Sequence, residues 1–153
     1  MGKSYSVVRQ TAINAPVERL RGLIINFREW PTWSPWEDID PQMARSYSGA
    51  DAGVGAAYAW EGNKKAGKGS MLITRDEGGH VGLDLALEKP FPAQNRLEFT
   101  LTPMGAVTTV EWRMEGELSL LMRAFALIRS MDVMVGPDFE RGLARLKRAA
   151  EAD

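Results

Sequence analysis

A chain of 153 residues, 44% apolar and 25% charged, is long enough to bury one sizeable core and has an ordinary globular balance. Its net charge of -1 offers no global attraction to nucleic acid or an anionic membrane, and the lack of cysteine excludes disulfides, thiolate metal sites and a thiol nucleophile. No run approaches the roughly 18 apolar residues of a spanning helix and no basic-then-apolar leader opens the chain, so a cytoplasmic protein without stable membrane insertion is expected.

Tyr5 to Ile13 reads as a first strand, with Val7, Val8, Thr11 and Ile13 suited to a pleated surface. The opening Met1-Gly2-Lys3-Ser4-Tyr5-Ser6 fits the loose myristoylation pattern, but such patterns recur by chance and the strand would hide that end. Ala15-Pro16-Val17-Glu18 then opens a helix, with Pro16 at the first helical position and Glu18 near the positive end of the dipole. Val17, Leu20, Leu23 and Ile24 give that helix one buried face. Asn26 to Trp30 is expected to add a short turn, which Pro31 ends.

Three of the five tryptophans fall within Glu29-Trp30-Pro31-Thr32-Trp33-Ser34-Pro35-Trp36-Glu37, where two prolines forbid a long helix or a central strand. So much apolar surface on an irregular segment needs a wall to pack on or a cavity mouth to line. Trp33 and Trp36, more than Trp30, are candidates to gate or line a cavity, with burial as a plug the plainer alternative.

Short strands separated by turns follow: Ala44 to Tyr47, Ala56 to Gly62, Gly67 to Arg75, His80 to Glu88, Arg96 to Thr102 and Ala106 to Glu115. Gly78-Gly79 is a two-residue hairpin signal, and connections this tight favour antiparallel neighbours. Val81, Leu83, Leu85 and Leu87 share one face, as do Leu97, Phe99 and Leu101, and Val110, Trp112 and Met114. Charged and small residues alternate with them, as in a sheet covered on one side only. The cover is expected from Leu120 to Ala150, where Ala124, Ile128, Met131, Val135, Phe139, Leu143 and Leu146 keep helical phase across Gly136-Pro137. One long helix, bent at Pro137, is predicted. No repeat, low-complexity segment or linker interrupts the chain, so residues 1–153 are expected to form a single domain.

The order of elements resembles the helix-grip fold of START-like proteins, the SRPBCC superfamily. Ile13-Asn14-Ala15-Pro16-Val17-Glu18 looks like the opening of that superfamily's first helix, and Trp30 to Trp36 followed by Asp40-Pro41 like the stretch after it. Gly55, Tyr58-Ala59-Trp60-Glu61-Gly62-Asn63 and Gly67-Lys68-Gly69 look like its central hairpin, and Gly142-Leu143-Ala144-Arg145-Leu146-Lys147 like the end of its long helix. Nearly the whole chain is covered, and the polyketide cyclase/dehydrase and lipid-transport branch is the one it resembles. The resemblance implies an α+β fold. A curved antiparallel sheet of about seven strands would wrap a long C-terminal helix, with one or two short helices after the first strand and an apolar cavity between sheet and helix.

On that basis Tyr58, Trp60, Met71, Ile73, Leu85, Phe99, Trp112 and Met114 are candidate ligand contacts on the sheet, beside Trp33 and Trp36. Phe125 and Ile128 join them from the helix. Phe91, in the stiff loop Lys89-Pro90-Phe91-Pro92, is expected to flank the same opening. A solid core is the alternative. His80 is the only histidine and stands at a hairpin, where an exposed turn residue is the simpler reading. No metal or other cofactor is expected. No catalytic residue is assigned. Glu61, beside Gly62, is the carboxylate to check for an inward turn. Three functions stay open: binding of a small hydrophobic or aromatic molecule, polyketide cyclase or aromatase chemistry in the same cavity, and a co-chaperone-like domain with a filled core. The ligand, the pathway and the oligomeric state are not legible.

Overall fold

A computed structural model describes residues 3–37, 39–89, 92–118 and 131–152. Strand β1 (Lys3–Ile13) leads into α1 (Val17–Ile25) and a 3₁₀ helix (Phe27–Thr32). Then come β2 (Ala44–Gly49), β3 (Ala56–Glu61), β4 (Lys68–Glu77), β5 (His80–Lys89), β6 (Ala93–Met104), β7 (Val107–Leu118) and helix α2 (Met131–Glu151). The seven strands form one antiparallel sheet in the order β1-β7-β6-β5-β4-β3-β2. Every strand after β2 pairs with the one before it, as the tight turns require. The chain's ends close the other side, with β1 against β7.

The turns have the chemistry expected of them. Gly78 and Gly79 both take positive φ, 56° and 81°, and let Glu77 face His80 across a two-residue loop. Pro31 departs from expectation. It does not end the turn after α1 but sits inside the 3₁₀ helix, which runs to Thr32. In so short a helix a missing N–H removes little, and the ring's fixed φ suits the 3₁₀ conformation.

The predicted alternation holds. Val81, Leu83, Leu85, Leu97, Phe99, Leu101, Val110, Trp112 and Met114 are buried, while Asp84, Glu88, Arg96 and Glu115 are exposed. The C-terminal helix stays helical through Pro137, and Phe139, Leu143, Leu146 and Ala150 bury its inner face. Residues 120–130 of the predicted long helix lie outside the described residues. Close approach is possible because Gly142 has no side chain. A Cβ there would come 2.7 Å from the Trp112 ring and 2.9 Å from Pro35. Arg19 of α1 caps the far end of α2, donating to the carbonyls of Ala150 at 2.6 Å, Ala152 at 3.0 Å and Ala149 at 3.1 Å. Those carbonyls have no partner within the helix, and a cation there also suits its dipole.

Candidate ligand pocket

The inner face of the sheet is built in cross-strand rows, and the rows differ in content. Near the middle, Trp112 of β7 pairs with Phe99 of β6, and both are fully buried. Phe139 of α2 stacks flat on Trp112, with centroids 4.1 Å apart and planes 2° from parallel. Trp33 meets Phe99 and Trp112 edge-on at 5.9 and 5.6 Å, and Trp30 lies 4.6 Å from Trp33. The indole N–H groups of Trp30 and Trp33 donate to the carbonyls of Ile24 and Leu23, at 2.8 and 2.9 Å. Those carbonyls end α1 without helical partners, so the two rings cap the helix while filling the core.

Toward the rim formed by the start of β1 and the end of β7, the packing opens. There a cavity of about 260 Å³ lies between the sheet, the tryptophan segment and α2. Its floor follows one cross-strand row, of which Tyr5, Asn95, Leu85, Met71 and Tyr58 line the cavity. Tyr5, Gly116, Asn95, Leu85, Met71, Tyr58 and Tyr47 pair in succession from β1 to β2. Trp60, one row nearer the rim, lies over Gly69 of β4. A Cβ on Gly69 would come 2.7 Å from the indole. Trp36, Ile39, Met43, Leu87, Met114 and Val135 complete an apolar wall.

Ser34, Lys65 and Asp138 also line the cavity, and two hydrogen-bonded polar groups of residues stand at its ends. At one end stands Glu37, only 6% exposed. Its Oε2 accepts the Tyr58 hydroxyl at 2.8 Å and its Oε1 accepts Arg45 Nε at 3.1 Å, while the Glu37 carbonyl accepts Arg45 Nη2 at 2.7 Å. A carboxylate this buried is tolerable because it is paired and hydrogen-bonded. Burial and then the bond to Glu37 push the Tyr58 phenol up from its ordinary value. At the other end the Tyr5 hydroxyl donates to Asn95 Oδ1. Burial pushes Tyr5 up to about 12, so both phenols stay neutral at ordinary pH. Gly116 leaves the room for this contact, since a Cβ there would collide with Asn95 Oδ1. Tyr5, Leu87 and Asn95 also border a shallow polar recess on the outside of the rim.

Of the residues singled out from the sequence, Trp36, Tyr58, Trp60, Met71, Leu85 and Met114 line the cavity together. Trp33, Ile73, Phe99 and Trp112 lie in the packed core and do not line it. Phe91, Phe125 and Ile128 lie outside the described residues. Glu61 does not turn inward; it is exposed and pairs with Ala44 and Lys68 across the strands. His80 sits on the outer face, 3.4 Å from Glu98. No group of three metal-ligating side chains exists among the described residues. No described helix is long and apolar enough to cross a membrane.

The sequence reading did not single out Glu37, Asn95 or Tyr5. Asn95 and Tyr5 carried a signal. Asn95 is in phase with Leu97 and Phe99, and Tyr5 with Val7, so the period of two puts both on the inner face. Glu37 had none, because it follows an irregular segment where no period applies.

A sequence profile described as polyketide cyclase/dehydrase and lipid transport matches residues 4–151. Among curated proteins none matches this sequence. Solved structures share the fold. A START superfamily protein from Mycobacterium smegmatis is 14% identical with a TM-score of 0.66, covering 95% of this chain and 97% of that one. A protein in the dynemicin biosynthetic locus is 15% identical with a TM-score of 0.65, covering 96% of this chain and 47% of that one. The Aha1 dimer from Colwellia psychrerythraea is 15% identical with a TM-score of 0.63, covering 96% of each chain.

Proposed function

This chain belongs to the polyketide cyclase/dehydrase and lipid transport family, and on that premise we propose that it binds one small apolar or aromatic molecule in the cavity between sheet and α2. The carrying observation is the contrast along the inner face. The core is filled at its centre by interlocked aromatic rings, yet open at the rim over Met71 and Leu85. Affinity would come chiefly from apolar burial, at about 25 cal/mol per Å² before ordering costs. A volume of about 260 Å³ lies just below the usual range of small-molecule pockets, about 300–1,000 Å³. That suits a compact ring system better than a pair of acyl chains.

Native mass spectrometry after gentle purification, together with a fluorescence titration of phenylnaphthylamine, tests the reading. A retained or accepted apolar molecule in one-to-one ratio is expected. A chain that takes up none rejects it.

One observation favours a second reading, turnover of the bound molecule in the same pocket. A buried carboxylate, Glu37, lines the cavity with a neutral phenol 2.8 Å away. Such a pair is what proton transfer to or from a bound substrate requires. Glu37→Gln would then abolish product formation while the chain still takes up an apolar probe. Equal turnover by that variant rejects a catalytic Glu37.

A further inference from the structure

The floor row of the cavity is amphiphilic in a defined order. Leu85 and Met71 sit in its middle, with Asn95 on one side and Tyr58 on the other, each residue paired directly with the next. Three strand spacings separate Asn95 from Tyr58, about 14 Å between backbones. The two ends differ in hydrogen-bonding sense. Asn95 is 7% exposed, and its Oδ1 accepts from the Tyr5 hydroxyl. Its N–H groups have no protein partner among the described residues. Asn95 lines both the cavity and the outer recess, so these N–H groups are donors open to an acceptor. At the opposite end the Glu37 carboxylate has taken one donor on each oxygen and retains lone pairs on both. Those lone pairs are acceptors.

We infer that the ligand is two-ended: a flat apolar body over Leu85 and Met71, a hydrogen-bond acceptor such as a carbonyl oxygen at Asn95, and a donor such as a hydroxyl at Glu37. This deepens the binding reading above and rests on it. Sites built to pair a buried polar group reject the analogue that lacks it, because their own group is then stranded. Selectivity should therefore reside in Asn95 and Glu37, and bulk affinity in the apolar floor.

The test uses four naphthalenes and isothermal titration calorimetry on the full chain. One carries an acetyl group at one end and a hydroxyl at the other; the rest are acetylnaphthalene, naphthol and ethylnaphthalene. The two-ended compound should bind tightest, and acetylnaphthalene should bind about tenfold more tightly than its ethyl counterpart, the worth of one hydrogen bond. Asn95→Leu and Asn95→Asp should erase the acetyl preference, the first because it offers no donor and the second because it offers only acceptors. Glu37→Gln should reduce the preference for naphthol and leave the acetyl preference in place. If all four compounds bind alike to the wild-type chain, the two-ended ligand is overturned while cavity binding stands. If none binds, the binding reading falls and takes this inference with it. An acetyl preference that persists in either Asn95 variant, melting like wild type, overturns the assignment to Asn95. The wild-type series decides the matter even if those variants do not fold.

Discussion

The Tyr58 hydroxyl donates to Glu37 Oε2 at 2.8 Å, joining the third strand to the end of the tryptophan segment. Arg45 of the edge strand holds the same carboxylate from its other oxygen. An irregular segment is thereby pinned to the sheet by one side chain. Glu37→Ala strands two donors at once, one of them the Tyr58 hydroxyl in a residue only 2% exposed. Arg45 retains 25% of its side-chain exposure, so water recovers part of the loss. A destabilisation of about 1–3 kcal/mol is expected, below that of breaking a fully buried pair. Glu37→Gln keeps an acceptor and should cost less. Urea unfolding of both variants checks the order, and equal stability of Glu37→Ala and wild type contradicts the pinning role.

The tryptophans of that segment divide by role. Trp33 is fully buried against Phe99 and Trp112, whereas Trp36 is half-buried and lines the cavity, its ring 5.4 Å from Trp112 and 6.1 Å from Phe139. Trp33→Ala should cost about 3–5 kcal/mol, the usual loss for a large core ring. Trp36→Ala should cost clearly less and change phenylnaphthylamine binding far more per unit of stability lost. Thermal melts and probe titrations of the two variants side by side show whether the roles separate. Equal stability losses with unchanged binding in both would contradict the division.

Most of the fold was legible because its signals are periodic. Strand alternation in Val81 to Leu87 and Leu97 to Leu101 placed the core face correctly, and Gly78-Gly79 located its hairpin. The site was legible only in part. Alternation marks Leu85 and Phe99 as inward alike, but it carries no information on which inward row is covered by aromatic rings and which is left open. That depends on where Trp30, Trp33 and Phe139 come to rest, a matter of long-range packing. Glu37 was invisible for a related reason. Its burial is made tolerable by Arg45 and Tyr58, residues that only the fold brings beside it.

Gly69 is the floor beneath Trp60. A Cβ there would come 2.7 Å from both the Trp60 ring and the Ala86 carbonyl oxygen. The backbone oxygen cannot give way as a flexible side chain would, so the indole must lift from the sheet. Gly69→Ala should destabilise by about 1–3 kcal/mol, the range for overpacking a tight contact, and should weaken binding of phenylnaphthylamine by narrowing the cavity. Gly105→Ala is the control, since Gly105 lies in a turn and its Cβ would meet nothing within 4 Å. It carries its own strain from a positive φ of 65° but should leave binding unchanged. Equal effects of both variants on binding would show that Trp60 does not shape the pocket.

Tyr5 gives the rim a dependence on alkaline pH whose sign is fixed by burial. Its phenol is raised from 10.0 to about 12 in the folded chain. Between those values the unfolded chain has released the proton and the folded chain still holds it, so a rise in pH favours unfolding. The contribution is fully present below about pH 10 and is lost as pH climbs through about 12. Tyr58 is raised as well and adds a slope of the same sign, which is why the comparison must be between wild type and Tyr5→Phe. At neutral pH Tyr5→Phe lacks the bond to Asn95 and should be the less stable chain by about 1 kcal/mol. Urea midpoints taken across the alkaline window should show that gap closing, because only the wild type has this proton to lose. A gap that stays constant to the top of the window would mean that Tyr5 is not held in a buried, hydrogen-bonded state at the rim.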